Sequence, residues 1–331
     1  MTQAQVPERV NYVEATARVL LEALQRDPRL VVIGVRDMPG HCPSVSLMFL
    51  REKVPDRVRE VPFCERGLAG LCLGAALAGA RPVVDLLPAN ALLYALADLI
   101  QYLGTLPYLS RGKMRLAMVL RVSIGAALGS GPFQSGNFHV AFSQLRGARI
   151  VAPMNASEAC ALLGEALRHD HPVLLLEHKQ LFGLSEELWP LESDPLAMDH
   201  AVVLRPGDHA TLVSYGYMSR VAMEAAGQLA QEGVQCEVIH LRSLVPLDRQ
   251  TLCTSVAKTG RVLFVDDAPP SCSVLHEAAA DVATYALDYL DAPPLRLLGP
   301  DVPTPYSPAL EPACRPQVSQ IVDAARRLLD W

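Results

Sequence analysis

The stretch at residues 57–86, RVREVPFCERGLAGLCLGAALAGARPVVDL, decides how the rest of the chain is read. An extended segment ends at Phe63, a single carboxylate stands at Glu65, small residues follow in helical order over 67–78, and a strand begins at Pro82. Gly67, Gly70, Gly74 and Gly79 punctuate the small-residue run. Each glycine costs a helix about 1 kcal/mol relative to alanine, so a helix that keeps several has a second subunit or a cofactor close against its backbone. Glu65 falls where a strand passes into a helix, the place from which α/β proteins address ligands. The same place also suits a structural glutamate whose charge complements the positive end of the helix.

Composition narrows the class. A chain of 331 residues suits two domains and can bury a sizeable core. Half of it is apolar but only 5% is aromatic, so that core is built from Ala, Leu and Val, as in a layered α/β protein. The net charge of −6 comes from 35 acidic against 29 basic residues, and no basic run tracks a phosphate backbone, so nucleic acid is not expected as a partner. The first residues, MTQAQVPERVNYVEA, are polar, and no apolar run reaches the ~18 residues of a membrane helix. The expectation is a cytoplasmic chain with no membrane partner. Eight cysteines occur without a CxxC pair, which argues against zinc and disulfides and predicts that most are small buried hydrophobes.

Taken in order, the periodicity predicts a helix over 12–26, a strand over 30–35, and a loop over 36–46 placed to line a site. Residues 89–106 are almost continuously apolar, with Asp98 the one charge, and predict a long buried helix. A strand over 114–122 carries Arg121 and empties into SIGAALGSGPFQSG at 123–136. That loop is glycine-rich, long and uncharged, and predicts a segment covering something rather than a flexible connector. It is no P-loop, because no Gly-Lys-Ser/Thr follows. After a strand over 148–152 and a helix over 155–168, His169 and His171 read as a solvated turn, since no third metal ligand is near. The pattern dissolves over 183–200, which sets a boundary near residue 190 between domains 1–190 and 191–331. The second half predicts a compact parallel-sheet module opening with a strand over 210–215 and holding no catalytic-looking cluster.

Several strings, in this order, carry a resemblance to a known family: CERGLAG at 64–70, GARP at 79–82 with Asp85, VAPMN at 151–155, PVLLLEHK at 172–179, EGVQCEV at 232–238 with LRSLVPLD at 241–248, and GPDVPTPY at 299–306. From about residue 10 to its end the chain resembles the β subunit of the thiamine-diphosphate-dependent E1 component of 2-oxoacid dehydrogenases (pyruvate, branched-chain and acetoin types), a family that includes the C-terminal half of transketolases. The resemblance implies an α/β fold of two domains, each a mostly parallel sheet flanked by helices: a pyrimidine-binding domain and a transketolase C-terminal-like domain. It also implies thiamine diphosphate lying across an interface with an α subunit, in an α2β2 heterotetramer. The α subunit would hold Mg²⁺ and the diphosphate through a Gly-Asp-Gly motif, which this chain lacks. The reaction implied is cleavage of a C–C bond next to a carbonyl, with the acyl or ketol unit passed to a lipoyl-bearing E2 or an acyl carrier protein.

By position, Glu65 matches the glutamate that hydrogen-bonds the pyrimidine nitrogen and favours the imino tautomer able to remove the thiazolium C2 proton. Phe63 and Leu87 would form apolar walls for the ring. Three departures stand out, the first being Val35-Arg36 where the family has an acid pair after its first strand. Where the family has His-Ser-Gln the chain has Gln134-Ser135-Gly136, and a glutamine cannot exchange a proton near neutral pH. His139 substitutes only if the loop is rearranged; otherwise it is a packed or surface histidine on a following helix. Ala91 stands where an aromatic residue would stack on the pyrimidine, with Tyr94 one turn later. These departures leave three readings: a two-carbon ketol transfer from a sugar phosphate, oxidative decarboxylation with the histidine supplied by the α chain, or a structural or regulatory subunit.

Overall fold

The computed structural model describes residues 9–35, 45–187 and 198–331; residues 36–44 of the loop expected over 36–46, the boundary near residue 190, Cys42 and the side chains of Leu87 and His139 lie outside the described residues, and the last two residues of that expected loop open the helix Val45–Lys53 instead. The first half contributes β1 (Arg9–Asn11), β2 (Leu30–Val35), β3 (Val58–Val61), β4 (Arg81–Pro88), β5 (Val119–Ile124), β6 (Arg149–Val151), β7 (Val173–His178) and β8 (Ser185–Glu187). The second half contributes β9 (Val202–Arg205), β10 (Ala210–Ser214), β11 (Cys236–His240), β12 (Ser243–Val245), β13 (Val262–Val265) and β14 (Leu295–Leu297).

Two mostly parallel sheets result. The first has the order β12-β6-β7-β5-β4-β2-β3, parallel except for β12, and the second the order β14-β13-β10-β11-β9, parallel except for β9. β5 and β7 are buried along their whole length, which is why they read as unbroken runs such as VLLLEH rather than as alternating strands. Because β2, β3, β4, β5 and β7 are parallel, the segments that follow them emerge along one edge of the sheet.

The three central strands share a buried ion cluster. Arg121 on β5 is fully buried; its Nε and Nη2 donate to the two Glu177 oxygens at 2.8 and 2.9 Å, and its Nη1 donates to Asp85 on β4. Ser46 and Thr16 hydroxyls complete the shell of this guanidinium. Burial pushes the Glu177 carboxyl up in pKa, and the Arg121 charge opposes it. A bidentate guanidinium is the group that neutralises a buried carboxylate with both oxygens satisfied.

The halves are joined more closely than two modules on a linker. β12, from the second half, pairs antiparallel with β6 and completes the first sheet, with Ser243 opposite Val151. One apolar cluster runs through both sheets, from Leu120 and Leu174 to Val213, Ile239 and Phe264. Polar bridges cross the same seam: Arg242 Nε donates to Glu158 at 2.7 Å, Glu158 pairs with His240 Nε2 at 2.9 Å, and His178 Nε2 donates to Asp267 at 2.9 Å.

Several expectations need correction. The helix expected over 67–78 begins two residues earlier, at Glu65–Leu77, so Glu65 is its first residue. The long helix expected over 89–106 is broken into Ala89–Leu92, a 3-10 turn at Leu93–Ala95, Leu96–Leu103 and Thr105–Leu109. Gly104 ends its third piece because a Cβ there would lie 2.2 Å from the Arg146 carbonyl oxygen. The residues after the glycine-rich loop form a 3-10 segment, Phe138–Gln144, not an α-helix. Of the seven described cysteines only Cys72 and Cys236 are buried; Cys64 and Cys272 are exposed. No helix among the described residues is long and apolar enough to cross a membrane.

Two outcomes follow from these buried charges. Arg121→Met should lower unfolding free energy by about 3–5 kcal/mol in urea titration, because it strands two buried carboxylates; an unchanged midpoint would show that the cluster carries no stability. Burial works to raise the Glu158 carboxyl, but His240 and Arg242 outweigh it and hold it at about 2. Its stabilisation is therefore complete above the unfolded value of ~4.3 and is lost as pH falls toward 2, so Glu158→Gln should flatten the acid limb of midpoint against pH. Burial, helped by Asp267, lifts Asp266 to about 7. Its contribution runs the other way, fading as pH rises from the unfolded ~3.9 through 7, and Asp266→Asn should remove that limb.

Candidate active site

β3 is an edge strand, and its parallel register on β2 delivers the chain at Pro62 to the sheet edge where the other loops emerge. Cys64, in extended conformation, caps the helix that follows, and Glu65 is its first-turn acid. Glu65 is half-buried, and among the described residues no hydrogen bond or ion pair engages its carboxylate. Its neighbour Arg66 instead holds Asp98, with Nε donating at 2.9 Å. A half-buried carboxylate with no partner inside its chain is costly unless something outside supplies a donor.

The helix Glu65–Leu77 is two-faced. Leu68, Ala69, Cys72, Leu73 and Ala76 are buried against the chain's own core. On the other face a Cβ at Gly70 or Gly74 would meet nothing within 4 Å, and Leu71 and Leu77 stand nearly half exposed. Among the described residues nothing presses on those two glycines, which leaves that face of the helix open.

Other expected residues sort clearly. Phe63 is 42% exposed beside Glu65, and Tyr94 is 72% exposed on the 3-10 turn that packs against the Glu65 helix. Ala91, at the position where the resemblance puts a ring-stacking aromatic, is buried, so as a cofactor-binding residue its methyl offers a ligand little surface. The pair most available to flank a ring is therefore Phe63 and Tyr94. A pyrimidine-sized group with a nitrogen to bind Glu65 and apolar faces for these two rings fits what is present. Gln134 is half-buried in the glycine-rich loop, and its main-chain carbonyl accepts from Lys179 Nζ.

That loop is tied at many points. Asn90, just past β4, accepts from Gly136 N–H at 3.1 Å and donates to the Pro132 carbonyl at 3.0 Å. Gln180 donates to the Ala126 carbonyl at 2.7 Å, and Asn137 caps Gly125 N–H at 3.0 Å. Gly125, with φ of +78°, lies against the His178 ring, where a Cβ would come within 2.0 Å of Nε2. His178 Nδ1 accepts the Gln180 N–H, so its proton sits on Nε2 and points at Asp267. Burial lowers Lys179 to about 8, with Glu311 opposing.

Two further arrangements belong to the scaffold. Ser219, His240 and Glu158 stand in the order of a hydrolytic relay, with contacts of 2.9 Å each, but Ser219 and His240 are fully buried and no substrate reaches them. A cavity of about 930 Å³ lies in the domain seam beside Val245 and His276, and Glu65 does not line it. Among the described residues no group of three metal-ligating side chains exists.

A two-domain fold of parallel sheets, with a partnerless carboxylate and a tethered loop on one edge, defines a transketolase-like protein. The transketolase pyrimidine-binding domain model matches residues 8–184 and the transketolase C-terminal domain model matches 199–321. The chain is 36% identical to the β subunit of the pyruvate dehydrogenase E1 component of Rhizobium meliloti, over 95% of this chain and 68% of that protein. It is 35% identical to a mitochondrial β-1 subunit of the same enzyme from Arabidopsis thaliana, over 92% and 85%. In fold it is similar to a split-gene transketolase solved as an inactive β4 tetramer, with TM-score 0.77, 21% identity and 98% and 99% coverage. A Pichia stipitis transketolase variant matches with TM-score 0.70 and 14% identity, over the whole of this chain and 47% of that one. The chain belongs to the β-subunit family of thiamine-diphosphate-dependent 2-oxoacid dehydrogenase E1 components.

Proposed function

We propose that this chain supplies the pyrimidine-side half of a thiamine diphosphate site whose other half, with Mg²⁺ and the diphosphate, is held by an α subunit in an α2β2 assembly. The observation that carries this reading is the half-buried Glu65 carboxylate at an open end of the sheet, with no partner among the described residues. When bound, thiamine diphosphate supplies a carbon nucleophile that attacks a carbonyl and lets the adjacent C–C bond break. Glu65 hydrogen-bonds the ring nitrogen and sets where its proton resides. Phe63 and Tyr94 shield the ring from water. Gln134 orients the substrate or acceptor by hydrogen bonding but cannot carry a proton.

The donor is a 2-oxoacid, with pyruvate tested first because the relatives are named for it, and the acceptor is a lipoyl-bearing E2 or an acyl carrier protein. A second reading, ketol transfer from a ketose phosphate, is favoured by one observation: Gln134 stands where proton handling at the acceptor would want a histidine. Supplying the complex with pyruvate or a ketose phosphate, and following release of CO₂ or of a shortened sugar phosphate, separates the two.

In the complex purified with its α partner, Glu65→Ala should retain assembly and lose about 10²–10⁴-fold in turnover, the range of a removed acid–base contact. Calorimetric thiamine diphosphate binding gives a second readout; wild-type rate and affinity together would overturn the reading. Gly70→Leu should leave the isolated chain's unfolding midpoint unchanged or somewhat raised, because nothing lies within 4 Å of that Cβ and leucine is the better helix former, yet abolish co-purification with the α subunit by overpacking a close helix contact. Normal co-purification would remove this helix from the interface.

A further inference from the structure

The glycine-rich loop holds more backbone strain than a connector needs. Leu128 adopts φ of +62° although it is a large residue and 87% exposed, and Gly129 and Gly131 follow at +67° and +65°. A left-handed leucine is unfavourable and gains no burial in this chain, so it persists only where its surroundings over-determine it. Those surroundings come from the opposite end of the sequence. Gly129 N–H donates to Glu311 Oε1 at 2.8 Å, across 182 positions, and Glu311 is only 4% exposed. The Tyr306 ring closes on Gly131, where a Cβ would fall 2.2 Å from a ring carbon, and the Tyr306 carbonyl oxygen lies 3.0 Å from a Cβ placed at Gly129. Lys179, at the end of β7, donates to the Gln134 carbonyl and holds the loop's far side. Lys179, Glu311 and the loop together line a depression of about 360 Å³. A carboxylate buried to receive one main-chain N–H, and a mostly buried ammonium given to one carbonyl, are expensive choices for a loop with no role.

We propose that Glu311 and Tyr306 of the second domain, with Lys179 of the first, are positioning residues that fix residues 128–134 in the pose presenting Gln134 to the cofactor site. The second domain then acts on chemistry carried out on the first, through a loop it does not own. This rests on the reading of Gln134 as a site residue given above. Leu128 and Phe133 are both exposed on the clamped loop.

The test uses the complex with its α partner and two independent variants, Glu311→Ala and Lys179→Met, in case one fails to assemble. Amide hydrogen exchange over 126–136 should quicken by at least about tenfold in both. Pyruvate-dependent turnover should fall by about 10–10²-fold while KM for pyruvate moves less than about threefold, the signature of a misplaced group rather than lost binding. Glu311→Gln keeps an acceptor for Gly129 N–H and should restore most of both properties. Unchanged exchange would show that these contacts do not hold the loop, and faster exchange with unchanged turnover would show that its pose is irrelevant; either overturns the proposal. If Glu65→Ala is also silent, the site reading itself has failed, whereas an active-site loss at Glu65 with silence at Glu311 and Lys179 sinks only the clamp.

Discussion

Arg121 is the group on which the rest of the architecture depends. It lies in the middle of the first sheet with no exposed surface, and it reaches Asp85 on one neighbouring strand and Glu177 on the other. Unpaired charges in that interior would be prohibitive, so the three strands have one register in which all three groups are satisfied. That register also fixes what lies beyond the strand ends: Asn90 after β4, the glycine-rich loop after β5, and His178 with Lys179 after β7. The ion cluster therefore acts at a distance on the site edge, by setting the heights at which three anchoring residues emerge.

Much of this was legible in sequence because it is local. The strand-to-helix switch at Glu65 shows in the change from alternating to helical spacing within a dozen residues, and the buried strands announce themselves as unbroken apolar runs. What escaped is what depends on partners far along the chain. Arg121 reads as an oddity in an apolar strand until Asp85 and Glu177, 36 and 56 positions away, are brought beside it. β12 is three residues long and β9 four, too short to show a period. The broken helix over 89–109 was misread because apolar spacing says nothing of a close crossing by Arg146. The loop at 123–136 reads in sequence as a segment covering something, yet nothing local indicates Glu311 or Tyr306, which hold it.

The site is half a site by construction. Its carboxylate sits at the edge strand of the sheet, on a helix whose outer face is bare at two glycines. Among the described residues neither that edge strand nor Glu65 is closed off by the chain itself, the arrangement the proposed shared site requires. The replacement of an expected histidine by Gln134 and of an expected aromatic by Ala91 alters how protons and rings are handled, while the carboxylate position is retained. One difference, Gln134, thus falls where the resemblance puts proton handling, and the other, Ala91, where it puts the pyrimidine ring.

The stitching of β12 onto β6 carries a last implication, for anyone dividing this molecule. Because a three-residue ribbon from the far half seals the first sheet, severing the chain at its midpoint would unzip that border and leave the main-chain groups of β6 bare. A fragment ending there would display a ready template for self-association, and its precipitation would report a missing seam rather than an inability to fold.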